Sequence, residues 1–198
     1  MRFRILAQLI VLAAGFVLGG CVEIGGASTP PRFYLLTPQA PVHDGVGDPD
    51  LGLGVGPIRM PVYLDRPQIV TRGADSQLVL AEFDRWAEPL EESVGRVLAA
   101  DLARRLGTDR VQRHPWRASR AVELAVEVDV VRFDGRRGEA VVLEAHWRLR
   151  SEDALVQRVS RIEEATQDDG YAELASAMSR ALSTLSAEIA NGVTAARP

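Results

Sequence analysis

The chain has 198 residues, 46% hydrophobic and 25% charged, with a formal charge of −4; this is the composition of one ordinary globular domain with a real core and little room for a second. A mildly acidic chain whose basic residues, all arginine, form no stripe argues against a nucleic-acid partner. A single cysteine excludes an internal disulfide framework, and His43, His114 and His146 lie too far apart for metal-ligand spacing, so neither a metal nor a cofactor is expected.

The first twenty residues read as an address. Arg2 and Arg4 form a basic start, and the apolar run from Ile5 to Leu18 falls short of the roughly 20 residues a membrane span needs. That layout is a secretory signal peptide over residues 1–20. Leu18-Gly19-Gly20-Cys21 then resembles the bacterial lipobox, in which small residues enter the peptidase and the thiol carries the diacylglyceryl group. Cys21 is therefore the expected lipid-attachment site and mature N-terminus. Several acyl chains on one cysteine hold a protein stably where a single chain binds only marginally. Losing Arg2 and Arg4 leaves 21 basic against 27 acidic residues, a formal charge of −6. By analogy with bacterial lipoproteins, Val22 in place of an aspartate after the cysteine favours the outer membrane, facing the periplasm. Residues 21–31, glycine-rich and ending in Pro30-Pro31, read as a tether.

The folded domain is expected over residues 32–192. Arg32 to Leu36 predicts a first strand; Gln39 to Asp50, with its prolines, glycines and aspartates, predicts a solvated loop. In Leu51 to Met60 the pattern Gly52-Leu53-Gly54-Val55-Gly56 imitates a phosphate loop, but Pro57 and Pro61 follow where a helix would have to open. The run reads as a strand with Leu51, Leu53 and Val55 inward. Pro61 to Pro67 predicts an ordered loop holding Tyr63, Asp65 and Arg66. Gln68 to Thr71 and a strand beginning at Leu78 to Leu80 predict a hairpin around the Gly73–Gln77 turn.

The stretch Phe83 to Gly107 organises the rest. Trp86 and Pro89 lead into an amphipathic helix whose apolar stripe is Leu90, Val94, Val97, Leu98, Leu102 and Leu106. Glu88, Glu91 and Glu92 at its start and Arg104 and Arg105 at its end suit the helix dipole, and Gly107 is placed to stop it. Arg110 to Gln112 predicts a short edge strand. Ala121 to Phe133 alternates as a half-buried strand, Asp134 to Gly138 is turn chemistry, Val141 to Leu149 answers as a second strand, and Leu155 to Ile162 as a third. A last helix runs from Tyr171 to Ala190, capped by Asp168 or Asp169 and ended by Gly192, with Leu174, Met178, Leu182, Leu185 and Ile189 on its buried stripe. The expected fold is α+β: an antiparallel sheet with two amphipathic helices packed on one face, in a single domain. The other face carries Glu123, Glu127, Asp129, Glu144, His146 and Arg148 toward water or a partner.

No catalytic constellation emerges. There is no G-x-S-x-G elbow, and the adjacent pairs Glu91–Glu92, Glu163–Glu164 and Asp168–Asp169 cannot face each other on a helix or strand. Glu123, Glu127, Glu144 and His146 on one sheet face read as a solvated row rather than an acid–base site.

The ordered set of lipobox, Arg32-Phe33-Tyr34-Leu35-Leu36, Val55-Gly56-Pro57, Pro61-x-Tyr63-Leu64-Asp65-Arg66-Pro67, Trp86-Ala87-Glu88-Pro89-Leu90 and Gln167-Asp168-Asp169-Gly170-Tyr171 resembles the PqiC-type lipoproteins, the auxiliary lipoprotein family of ABC-type transport systems. The resemblance implies a non-catalytic, lipid-anchored subunit of an MCE-type trans-envelope lipid transport system that supports outer-membrane integrity. It implies an MCE-domain (PqiB-like) partner and, through it, an inner-membrane permease. A partner that forms a tube would suit a homo-oligomeric ring, since cyclic symmetry repeats one surface around an axis. The family carries over one functional position, Cys21. Tyr63, Asp65 and Arg66 form the expected partner surface, on a loop made rigid by its prolines. The competing readings are a structural lipoprotein of another outer-membrane assembly, a shuttle holding an acyl chain between sheet and helices, and an envelope hydrolase.

Overall fold

Two apolar helical stripes and three long alternating strands dictate the layering. The computed structural model describes residues 29–42, 47–116, 122–152 and 155–196, and the chain from Pro31 onward forms one unit. The elements run β1 (Arg32–Tyr34), β2 (Leu53–Arg59), a 3-10 turn (Val62–Leu64), β3 (Gln68–Arg72), β4 (Leu78–Trp86), α1 (Leu90–Leu106), β5 (Val111–Arg113), β6 (Leu124–Gly135), β7 (Ala140–Arg150), β8 (Leu155–Ala165) and α2 (Tyr171–Ala195). Residues 1–28, with Cys21, lie outside the described residues, as do His43 and Ala121.

The α+β class holds, with both helices on one face of a sheet, but the sheet itself departs from the expectation. The strands form two mixed sheets, one of five strands in the order β5-β2-β6-β7-β8 and one of three in the order β1-β4-β3. β2 runs parallel to both β5 and β6, and β1 parallel to β4, while the remaining pairs are antiparallel. Parallel partners need a long crossover, and here the β3–β4 hairpin and α1 intervene between β2 and β6. Across the larger sheet α1 packs on β2 and β5, α2 on β6, β7 and β8, and the helices on each other. Val94, Leu98 and Leu102 of α1 and Leu174, Leu182 and Leu185 of α2 bury against Leu53, Val126, Leu143 and Trp147.

Several boundaries shift for identifiable reasons. β4 continues to Trp86, so the Phe83–Trp86 segment is strand, and Pro89 is the N-cap of α1. Gly107 ends α1 as expected, at φ 62° and ψ 37°, with its N–H donating to the Ala103 carbonyl. A side chain is strained there, so Gly107→Ala is expected to cost about 1 kcal/mol, read as a lower urea midpoint at unchanged slope. α2 runs past Gly192 to Ala195. Gly192 is a notch rather than a terminator: a Cβ there would stand 2.8 Å from the Trp147 ring. Neither Asp168 nor Asp169 caps α2; Gly170 holds the N-cap position, and the Asp168 carboxylate accepts the Gly170 N–H at 2.7 Å.

The outer face of the five-stranded sheet is a ladder of ion pairs. Arg59 reaches Asp129 at 2.7 Å, Arg148 and Arg150 each reach Glu127 at 3.0 Å, and Arg161 pairs with Glu144. Three of the residues expected on this face, Glu127, Asp129 and Glu144, are thus bound to arginines across the strands, and a fourth, Arg148, supplies one of those arginines; His146 is exposed beside them.

Candidate functional site

The loop Pro61–Pro67 is held from both ends and from beneath. Leu64 is buried and seats the 3-10 turn; the Asp65 N–H donates to the Val62 carbonyl at 3.1 Å and the Arg66 N–H to the Leu64 carbonyl at 2.8 Å. The Pro67 carbonyl accepts the Trp86 N–H at 2.7 Å, which ties the loop to the end of β4. Beyond Trp86, the Ala87 N–H donates to the Tyr34 carbonyl at 2.9 Å, and the Arg96 guanidinium clamps the Glu88 carboxylate at 2.7 and 3.0 Å. Burial opposes ionisation of Glu88, but its bonds to Arg96 and Ser93 outweigh it and hold the carboxyl below its ordinary range.

Between these two segments lies a groove of about 310 Å³ lined by Asp65, Arg66, Pro67, Trp86, Ala87, Glu88 and Pro89. Two prolines and the tryptophan supply an apolar floor and walls, and the charges stand at the rim. Glu88 is committed to Arg96. Asp65 and Arg66 are exposed, and neither has an ion-pair or side-chain hydrogen-bond partner among the described residues. An apolar slot with two unspent opposite charges at its edge is suited to receiving a segment of another molecule rather than to bond-making chemistry.

Tyr63 is the exception among the three expected contact residues. Its hydroxyl points inward and donates to Asp134 at 2.7 Å. Asp134, on β6, is fully buried and also accepts from Arg72 Nε of β3 at 2.7 Å and from Arg132 Nε at 2.9 Å. Burial alone would raise the Asp134 carboxyl; the bonds from Arg72, Tyr63 and Arg132 prevail and hold it below its ordinary value. Burial, with the Asp134 bond second, pushes the Tyr63 phenol up to about 12, so it remains a donor at any physiological pH. Tyr63 therefore fastens the groove's rim to the larger sheet, and Asp65 and Arg66 are left as the outward-facing pair.

Composition places Asp134 in a turn, whereas the structure places it in β6 and buries it. The sequence does carry a trace of its position. The inward residues Leu124, Val126, Val128 and Val130 are even-numbered, whereas Phe133 is odd-numbered and equally buried. That change of phase marks a bulge, seen as the register shift between Val130 and Arg132, after which Arg132 and Asp134 share the opposite face.

Elsewhere, Trp147, Met178 and Leu182 fill the layer between sheet and helices, the space a lipid-holding shuttle would need open. Among the described residues no three His, Cys, Asp or Glu side chains converge as metal ligands, and no helix is long and apolar enough to cross a membrane.

Comparison with known proteins connects this architecture to transport. Residues 34–190 match the family described as the ABC-type transport auxiliary lipoprotein component. The intermembrane transport lipoprotein PqiC of Escherichia coli is 26% identical over 184 residues, covering 93% of this chain and 96% of the relative, and the protein of the same name from Shigella flexneri matches equally. A crystal structure of an uncharacterised protein superposes with a TM-score of 0.69 at 28% identity, over 83% of this chain and 99% of the other. A Xanthomonas campestris protein shares the fold with a TM-score of 0.67 at 17% identity, over 80% and 92% of the two chains.

Proposed function

The chain belongs to the family of ABC-type transport auxiliary lipoprotein components, and we propose that it is the lipid-anchored, periplasm-facing subunit of an MCE-type trans-envelope lipid transport system supporting outer-membrane integrity. Its role is binding and assembly rather than catalysis. Cys21 carries the anchor, residues 1–20 are the removed signal peptide and residues 21–31 the tether. The domain joins an MCE-domain partner and, through it, an inner-membrane permease, as a homo-oligomer around the partner's axis.

The observation that carries this reading is the preformed groove beside Trp86, whose rim charges Asp65 and Arg66 are unspent. A rigid site loses little ordering entropy on docking, and an arginine at its edge is a common anchor of protein interfaces. The names of the relatives, intermembrane transport lipoproteins, support the same direction.

Crosslinking in native membranes followed by purification of the lipidated protein tests the proposal. The wild-type chain is expected to recover an MCE-domain protein. Arg66→Glu is expected to reduce that recovery by roughly tenfold or more, an anchor contributing about 2 kcal/mol, with the circular dichroism unchanged. Cys21→Ser is expected to move the chain out of the membrane fraction. Recovery of an unrelated outer-membrane complex by the wild type, or undiminished recovery by Arg66→Glu, would count against the transport role and the groove respectively.

A further inference from the structure

Phe33 and Leu35 are large apolar side chains left in water, 62% and 48% exposed. They stand two residues apart, at and just beyond edge strand β1, and so on one face of the extended chain. Phe33 is the only aromatic among the exposed large hydrophobic side chains of the described residues. In the register of the small sheet it sits beside Arg85, whose Nε is buried without a partner. The neighbours Arg32 and Tyr34 point to the opposite face of the strand, where both bind Asp84. An exposed aromatic ring and an exposed aliphatic side chain, with the Arg85 guanidinium beside the ring in the sheet register, make a composition that settles at a lipid–water boundary. There the ring lies at headgroup level and arginine stems cover apolar surface while their heads meet phosphate.

Position along the chain identifies the occupant. β1 is the first element among the described residues, and Phe33 lies twelve positions after Cys21. A chain of that length reaches about 40 Å at most when fully extended. An anchor at Cys21 therefore keeps β1, the first of the described elements, within about 40 Å of the bilayer, and a weak contact there acts at the high effective concentration of an intramolecular event. We propose that the β1 edge, through Phe33 and Leu35, rests on the surface of the membrane that carries the anchor, and thereby sets which side of the domain faces away from it. This rests on the reading of Cys21 as the acylated residue.

The test uses the full, natively processed chain reconstituted into vesicles of phosphatidylethanolamine and phosphatidylglycerol. Cys21 is the sole cysteine and acylation consumes its thiol, so Phe33→Cys, Leu35→Cys and Val159→Cys each offer one site for an environment-sensitive label. Val159, 72% exposed on β8, is the reference. Labels at 33 and 35 are expected to shift to the blue and to lose at least half their emission to lipids brominated on the acyl chains, with little change at 159. Two independent sites, each checked by circular dichroism, guard against a variant that does not fold. Equal responses at all three positions on an acylated chain overturn the contact alone. Shielding at 33 and 35 that follows protein concentration and not lipid assigns the face to a second copy and overturns it too. An N-terminal peptide whose mass shows no acyl chain on Cys21 overturns the anchor and the contact together.

Discussion

Asp134→Ala is expected to lower the stability of the domain by about 3 kcal/mol, because it removes the acceptor on which three donors from separate parts of the chain converge. The carboxylate is fully buried and takes Tyr63, Arg72 and Arg132 at 2.7, 2.7 and 2.9 Å. Breaking one side of a buried pair costs roughly 3–5 kcal/mol when the surviving charge stays buried. Here Arg72 and Arg132 keep 29% and 25% of their side chains open, so both regain some water and the lower end applies. Tyr63→Phe removes a single neutral donor to a charged acceptor and is expected to cost roughly 1.5 kcal/mol. Combining it with Asp134→Ala should add almost nothing, since both delete the same bond.

The pH dependence has a definite sign. The Asp134 carboxyl lies below its ordinary range in the folded state. Its contribution is therefore fully present above the unfolded value, about 3.9, and is lost as pH falls through the folded value. The difference in melting temperature between wild type and Asp134→Ala should be constant from pH 7 to about 5 and shrink below about 4. A difference that persists undiminished at pH 2 would mean that the charge contributes nothing beyond side-chain packing.

The two helices were legible because each carries its information locally. The stripe from Leu90 to Leu102, the acidic start and the Gly107 stop specify α1 within the seventeen residues Leu90–Leu106 and the one that follows. The β6–β7 hairpin was legible for the same reason, its two strands alternating in register on either side of a short turn. The relations between distant segments were not. β2 is covered on both faces, with Leu53, Gly54, Val55 and Gly56 all buried, and so lacks the alternation that would tell a half-solvated antiparallel strand from a central parallel one. Gly192 matches the local pattern of a stop; the Trp147 ring that requires it lies 45 positions earlier. In the groove, the prolines pointed to a rigid loop at Pro61–Pro67, whereas the inward turn of Tyr63 depends on Asp134, 71 residues away.

Trp86 joins these two levels, and its replacement is expected to have the largest effect in the domain. The side chain is 5% exposed and belongs to the core cluster, yet it also lines the groove. Trp86→Ala should cost about 4 kcal/mol from lost transfer energy and the cavity left behind, lowering the melting temperature by roughly 8–16 °C for a domain of this size. The main-chain bond from residue 86 to the Pro67 carbonyl at 2.7 Å survives in either variant, so this loss belongs to the ring and not to the strand. Trp86→Phe keeps an aromatic of smaller volume and should cost about 1.5 kcal/mol or less, which leaves the fold intact with a shallower-walled groove. If the groove receives the transport partner, Trp86→Phe loses recovery of that partner out of proportion to its stability, as Arg66→Glu does with no loss of stability at all. If Trp86 serves only the core, binding follows stability in both tryptophan variants, and unfolding measured beside recovery separates the two roles. A change of less than about 1 kcal/mol in Trp86→Ala would mean that the ring is held by the groove's surface and contributes nothing to the packing between β4 and α1.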